Sequence, residues 1–216
     1  ASDVTFGSAV GDLDLDGYLD AVVSNYRSGF DYTRDSMILW GDSSGTWSTT
    51  GATRLATDNG RRPALGDVNG DGLLDVLVCS GSGGSAWVAV FYNPGSRSWS
   101  TMAALSLPAS NLQNVMSADL DRDGFDDVVL AENYAWSGGT YSRAYLSGTS
   151  GPDTAADFHF RTGGNYDVDV QDYNKDGFPD VAYACNVQVG GQDRTHVFIS
   201  SKGSFDGNSS TYQLDV

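Results

Sequence analysis

Several residue types are scarce in this sequence, and each shortage limits what the chain can be. Its 216 residues include 2 cysteines, 2 histidines and 5 prolines, and 12 basic residues stand against 28 acidic ones. Glu132 is the only glutamate, so nearly all of the acid is aspartate. Glutamate suits helical surfaces, whereas aspartate suits turns and loops that hold hard cations. The acidic residues therefore argue against helices and for turns or metal sites.

The shortage of basic residues limits the partners that the chain can have. The formal net charge is −16, and no basic stripe interrupts it. Such a surface repels the phosphates of nucleic acids and of anionic membranes, so neither is expected as a partner. No apolar run approaches the ~20 residues that a membrane-spanning helix needs, so no membrane insertion is expected.

What the sequence does contain is one acidic segment, D-x-[DN]-x-D-G-x-x-D, in four copies. The copies begin at Asp12, Asp67, Asp119 and Asp172, so their spacings are 55, 52 and 53 residues. Repeats of this length are typical of the blades of a β-propeller. We therefore predict a single domain over residues 1–216, with repeats at approximately 1–57, 58–109, 110–162 and 163–216.

Each repeat predicts four strands, here called A to D. Strand A precedes the acidic segment, and strand B follows it as a short apolar run that indicates burial on both faces. The B strands are Ala21–Val23, Val76–Val78, Val128–Leu130 and Val181–Tyr183. The C strands are Ser36–Trp40, Ala86–Tyr92, Arg143–Leu146 and Thr195–Ile199. The weaker D strands, expected at an outer edge, are Thr53–Ala56, Ala103–Leu107, Asp157–Phe160 and Tyr212–Val216. The predicted fold is all-β, a propeller of four four-stranded blades.

The acidic segments have the residue types and spacing of a calcium loop. Calcium takes six to eight oxygen ligands, and alternate side chains around a tight glycine bend supply them. We expect carboxylate or amide ligands at positions 1, 3, 5 and 9 and a backbone carbonyl at position 7. The predicted ligands are Asp12, Asp14, Asp16, Tyr18 and Asp20; Asp67, Asn69, Asp71, Leu73 and Asp75; Asp119, Asp121, Asp123, Phe125 and Asp127; and Asp172, Asn174, Asp176, Phe178 and Asp180. The cofactor prediction is Ca²⁺, up to four ions.

Two other interpretations of these segments are weaker. An EF-hand loop needs a glutamate at position 12, where the four copies have Val23, Val78, Leu130 and Tyr183. Asp-Gly turns also occur without any metal. Four copies with acid or amide at the same four positions favour metal, because so many carboxylates in one turn repel each other without a cation.

The pattern resembles the FG-GAP repeat family, with its similar VCBS-type repeats and the blades of the integrin α-subunit propeller. Phe6–Val10 matches the phenylalanine–glycine element, and the loops match the family's calcium motif between strands A and B. The resemblance implies partner binding at the opposite face. It also implies a ring of usually seven blades, whereas this chain holds four repeats. The alternatives are a closed four-bladed ring, which we favour, part of a seven-bladed ring, or two chains combined.

The loops of that opposite face are aromatic and polar, which suits stacking on sugar rings or binding a protein partner. The candidate ligand-binding residues are Tyr26, Arg27, Tyr32, Arg61, Arg62, Tyr134, Trp136 and Tyr166. Carbohydrate is slightly favoured over an extracellular protein partner. Since millimolar calcium is extracellular, we expect a secreted or cell-surface location.

No catalytic residue is predicted. Gly41–Gly45 matches G-x-S-x-G, but it lies in a predicted hairpin turn and not at a strand-to-helix elbow. His159 and His196 lie in apolar strands and are expected to be packing residues, and Cys79 and Cys185 are expected to be buried free thiols. A polysaccharide lyase or hydrolase on a propeller remains the minority alternative.

Overall fold

The computed structural model describes residues 3–28, 34–81, 85–133, 140–185, 194–206 and 212–215. Within those ranges the chain forms sixteen β-strands and no α-helix, which confirms the all-β prediction. The strands are β1 Asp3–Gly11, β2 Asp20–Ser28, β3 Ser36–Leu39, β4 Thr53–Leu55, β5 Pro63–Gly66, β6 Asp75–Ser80, β7 Ala86–Phe91, β8 Leu105–Ala109, β9 Leu112–Ala118, β10 Asp127–Glu132, β11 Thr140–Tyr145, β12 Phe158–Thr162, β13 Asn165–Gln171, β14 Asp180–Cys185, β15 Arg194–Phe198 and β16 Tyr212–Asp215.

The strands form four sheets, each of four consecutive strands. The first sheet is β1–β4, the second β5–β8, the third β9–β12 and the fourth β13–β16, and every pairing is antiparallel. In each sheet the predicted strands A and D lie at the two edges and strand B lies inside. Each sheet therefore corresponds to one sequence repeat.

Three apolar clusters lie between consecutive sheets. Ile38 of the first sheet and Phe91 of the second belong to one cluster, and Leu77 of the second and Tyr145 of the third belong to the next. Phe160, which packs in the third cluster, lies 4.9 Å from Phe198 of the fourth sheet between ring centroids. Consecutive sheets thus share cores, as expected when no sheet has enough apolar surface to fold alone.

Contacts between strands of different sheets follow the chain order. They join β1 to β5, β5 to β9, and β9 to β13. Among the described strands, none of the fourth sheet makes comparable contact with the first. Closure of the four sheets into a ring is therefore not seen, and the propeller arrangement stays a prediction.

Burial of the B strands depends on the position of the sheet. Every residue of β6 and β10 is buried, which confirms the prediction of two covered faces for the second and third sheets. In the first sheet Val23 is only half-buried, and in the fourth sheet Ala184 is exposed. The apolar pattern is the same in all four repeats, so the difference arises from the absence of a neighbouring sheet in the described structure.

Both cysteines are free thiols, as predicted, although Cys185 is half-buried where full burial was expected. In the part of the chain that the structure describes, no helix has the length and apolar composition needed to cross a membrane.

Candidate functional site

The four acidic loops connect the first and second strands of each sheet and share one backbone conformation. Position 4 has a left-handed φ in every copy, and so does the glycine at position 6. The φ angles at position 4 are 60° at Leu15, 71° at Gly70, 65° at Arg122 and 62° at Lys175, and those at position 6 are 89° at Gly17, 85° at Gly72, 95° at Gly124 and 97° at Gly177. A left-handed φ is favourable for glycine, which explains the invariant Asp-Gly step.

The carboxylates at positions 1 and 5 organise each turn. The Oδ2 atom at position 1 accepts a hydrogen bond from the glycine N–H, at 3.0, 2.8, 3.1 and 2.8 Å in Asp12, Asp67, Asp119 and Asp172. The Oδ1 atom at position 5 accepts one from the N–H at position 7, at 2.9, 2.9, 3.0 and 2.9 Å in Asp16, Asp71, Asp123 and Asp176. The carboxylates therefore point into their own loop.

The aspartate at position 9 has a role that the sequence analysis missed. Asp20, Asp75, Asp127 and Asp180 are all fully buried. In Asp75, Oδ2 accepts the Val68 N–H at 3.2 Å and Oδ1 accepts the Asn93 N–H at 2.8 Å. The other three copies repeat both bonds. This residue fastens the start of the loop to the end of strand C, and its recurrence just before an apolar run was the available signal.

Two loops gather three carboxylates closely enough to hold a cation. The oxygens of Asp12, Asp14 and Asp20 lie within 4.8 Å of one another, and so do those of Asp119, Asp121 and Asp127. These are the two loops with aspartate at position 3. In all four loops the side-chain oxygen at position 3 accepts the position-5 N–H, at 3.3, 2.9, 3.1 and 2.7 Å in Asp14, Asn69, Asp121 and Asn174.

The electrostatics of the loops fit a hard divalent cation. Oδ1 of Asp12 is buried and has no hydrogen-bond donor, which is costly for a carboxylate oxygen. Burial, together with repulsion from Asp71 and Asp67, raises the pKa of Asp75 to about 7 despite the N–H bonds. Burial likewise raises the pKa of Asp127 to about 7. A bound cation would offset both burial and repulsion.

One basic side chain reaches the first loop from the second sheet's hairpin. Arg97 Nε pairs with Asp14, and Arg97 Nη2 lies 2.9 Å from Asp16 Oδ2. The guanidinium also lies over the Trp40 ring, 5.1 Å from its centroid. Arg97 therefore binds two of the oxygens that the calcium prediction needs, from a site that loop spacing could not reveal.

The predicted ligand-binding residues fall into three groups. Tyr32, Tyr134 and Trp136 lie outside the described residues, and Arg27 is described only as backbone of β2. Tyr26, Arg61, Arg62 and Tyr166 lie at the ends of the sheets away from the acidic loops. The structure thus places four of the eight.

Side chains from all four sheets meet around Arg61 and Arg62. The Arg61 guanidinium lies over Phe6 and Tyr26, 5.6 and 5.5 Å from their ring centroids, and Arg61 also donates to Gln113. Arg62 Nη1 lies 2.7 Å from Oδ1 of Asp167 in the fourth sheet.

Next to Asp167 in the chain, Tyr166 is 51% exposed. A groove near these residues is lined by Phe6, Ser8, Pro63, Leu65, Asn114 and Met116. Arg61 is held by the two rings and Gln113, and Arg62 by Asp167, so both guanidinium groups are fixed in position.

The residues considered for catalysis do not assemble into a nucleophilic site. Ser43, the serine of the G-x-S-x-G match, lies in the exposed turn after β3, where the neighbouring Ser44 hydrogen-bonds to Asp42 and Thr46. His196 is 6% exposed and stacks on Phe198, as a packing residue does. The same expectation is wrong for His159, which is exposed on the edge strand β12 because its side chain faces away from the core.

Comparisons with known proteins identify a repeat family and solved structures of similar fold. The model of the FG-GAP-like repeat matches residues 12–78 and 67–130. The Vibrio cholerae biofilm matrix protein Bap1 superimposes with a TM-score of 0.52 at 18% identity, over 99% of this chain and 31% of that protein. An Agrocybe aegerita lectin that recognises non-reducing terminal N-acetylglucosamine superimposes with a TM-score of 0.50 at 16% identity, over 96% of this chain and 65% of the lectin.

At 18% and 16% sequence identity, these two similarities show a shared fold. The chain spans about a third of the first protein and about two thirds of the second. No curated protein matches the sequence.

Proposed function

We propose that this chain, which belongs to the FG-GAP-like repeat family, is a calcium-stabilised, non-enzymatic binding module that recognises carbohydrate. A secreted or cell-surface location belongs to the proposal, because extracellular calcium is abundant enough to fill loops of moderate affinity. The conformation shared by the four acidic loops is the observation that supports it best.

Calcium is proposed at the carboxylates and amides of positions 1, 3, 5 and 9 and at the position-7 carbonyl of each loop. The unpartnered Asp12 oxygen and the pKa values of Asp75 and Asp127, raised by burial and by neighbouring aspartates, support this, since a bound cation would stabilise these carboxylates. When bound, the ion would supply structural cross-linking and charge neutralisation. The chain's own residues position the oxygens and, at position 9, tie the loop to strand C.

The sheets are proposed to be consecutive blades of one propeller domain over residues 1–216. Each sheet packs on the next through its first two strands, which is how blades stack around an axis. Comparable contact between the described strands of the fourth and first sheets is absent, so the three alternatives stay open: a closed four-bladed ring, part of a seven-bladed ring, or two chains combined.

Carbohydrate recognition is proposed at the end of the sheets away from the calcium loops. The exposed Tyr166 ring, the Phe6–Tyr26 pair with a ring distance of 5.4 Å and the adjacent Arg62–Asp167 pair support this. Aromatic faces cover the apolar faces of sugar rings, and fixed polar groups bind hydroxyls.

Calcium binding is tested by thermal unfolding with calcium and with a chelator. A ligand that binds only the native state stabilises it by about 2.7 kcal/mol at a hundred times its Kd, so the midpoint should rise with calcium. Asp71→Ala should reduce that rise, whereas Asp153→Ala, in an exposed turn outside the loops, should leave it unchanged. An identical midpoint with chelator and calcium would refute calcium binding.

Carbohydrate binding is tested on a glycan array, followed by calorimetry with the best glycan. Tyr166→Ala should weaken binding at least tenfold, about 1.4 kcal/mol, because one stacking face is lost. Tyr141→Ala is the matched control, since Tyr141 is 42% exposed on another sheet. A blank array with calcium-loaded protein would refute carbohydrate recognition without affecting the calcium proposal.

A further inference from the structure

The two ends of the series of sheets present apolar surface that the inner sheets bury. We call the face that a sheet turns to the preceding sheet its trailing face, and the face that it turns to the following sheet its leading face. Among the described residues, the trailing face of the first sheet and the leading face of the fourth sheet have no neighbouring sheet.

Equivalent positions show what the trailing face normally contacts. On the second sheet, Leu65, Leu74 and Trp99 pack in the cluster shared with the first sheet, and Trp99 is 7% exposed. The equivalent residues of the first sheet are exposed on its own trailing face. They are Val10 at 49%, Leu19 at 59% and Trp47 at 50%.

The leading face shows the same contrast at the other end. Leu13, Val68 and Leu120, at position 2 of the first three loops, are 0% exposed because the next sheet covers them. Tyr173, at position 2 of the fourth loop, is 41% exposed. Ala182, equivalent to the fully buried Val22, is half-buried.

The two end faces also carry charged side chains of opposite sign. On the first sheet, Arg54 pairs across the strands with Met37, which pairs with Val23, and its side chain is 67% exposed. On the fourth sheet, Asp169 pairs with Ala182, and it lines a groove together with Asp167, Tyr173 and Thr195. Arg54 has an ion pair with Asp35 at 3.9 Å, and Asp167 has one with Arg62 at 2.7 Å, so the correspondence of opposite charge across the contact is between Arg54 and Asp169.

We propose that the trailing face of the first sheet packs on the leading face of the fourth sheet in a second copy of this chain. The proposed contact is of the same kind as the apolar contact that joins consecutive sheets within the chain, so each end face has the type of surface that the other face normally packs against. Two copies supply eight sheets, the upper end of the usual propeller range, and a reciprocal contact covers all four end faces. This inference does not depend on calcium or carbohydrate as ligands.

The mass of the purified chain, measured by light scattering and sedimentation velocity in calcium over a wide concentration range, tests the proposal. We expect a species of twice 22.9 kDa that dissociates on dilution. A mass of 22.9 kDa at every concentration would overturn the proposal.

Variants then test which faces meet. Leu19→Asp and Ala182→Arg should each weaken the dimer at least tenfold, because a charge enters an apolar contact. Met102→Asp is the control, since Met102 is 67% exposed in the segment between β7 and β8, outside both end faces. A mixture of the two face variants should restore association, because each retains the face that the other lacks. Association that survives both variants, or no recovery on mixing folded variants, would contradict the head-to-tail contact.

Discussion

At the scale of single residues, the carboxylates of each acidic loop are of two kinds. Those at positions 1 and 5 bond within the turn, while the buried one at position 9 bonds the loop to strand C. Both kinds occur in one nine-residue motif, but of these only the residues at positions 1 and 5 are accessible to water. Substitutions at the two kinds of position should therefore have different consequences.

Asp75→Ala should destabilise the protein even in chelator. Two buried N–H groups, of Val68 and Asn93, lose their acceptor, at about 1–3 kcal/mol each. Asn69→Ala should change the chelator midpoint little and reduce mainly the stabilisation by calcium. Chemical denaturation of both variants with and without calcium measures the two effects, and equal losses in chelator would contradict the distinction.

Arg97→Ala should raise the calcium affinity of the first loop. The Arg97 guanidinium pairs with Asp14 and Asp16, so calcium must displace it from those oxygens. Calorimetry should find one site strengthened by severalfold. Arg122→Ala, which removes a guanidinium stacked over Phe178, should leave that site unchanged. Weaker binding by Arg97→Ala would instead identify Arg97 as a support of the loop.

At the scale of elements, the strands covered on both faces belong to the inner sheets. Strand β10 is buried along its length and ends at Glu132, whose only ion-pair partner among the described residues is Arg143, at 3.4 Å. Burial raises the pKa of Glu132 to about 7, although Arg143 lowers it. One Glu132 oxygen, Oε2, has no hydrogen-bond partner. The end of this buried strand therefore holds an acid that is protonated more readily than an ordinary glutamate.

The stability of the chelated protein should consequently depend on Glu132 and pH. The folded-state pKa, about 7, lies above the unfolded value of 4.5, so Glu132 favours folding fully below the unfolded value. That contribution falls as the pH rises from 4.5 to about 7, by about 1.4 kcal/mol per pKa unit. Glu132→Gln should remove this part of the pH dependence. Urea unfolding at several pH values measures it, and parallel curves for the two proteins would contradict the raised pKa.

At the scale of the whole molecule, four acidic loops concentrate negative charge in a chain of net charge −16. Self-repulsion on this scale destabilises a compact state, and salt screens it.

Sodium chloride should therefore raise the melting midpoint in chelator. Calcium should raise the midpoint more than magnesium at equal ionic strength, because magnesium demands a stricter octahedral shell. Differential scanning calorimetry gives the three midpoints. Equal effects of the two divalent ions would indicate screening alone.

The sequence by itself determined the all-β class, the four repeats, the strand order within each sheet and the acidic turns. These features depend on local patterns, such as apolar runs and an Asp-Gly step that needs a left-handed φ. Only the tertiary structure decided the buried role of position 9, the pairing of Arg97 with a loop 83 residues away, the exposure of His159 and the open faces of the end sheets. The burial of a side chain depends on neighbours distant in sequence. Repeats of similar sequence therefore differ in burial according to whether another sheet covers them.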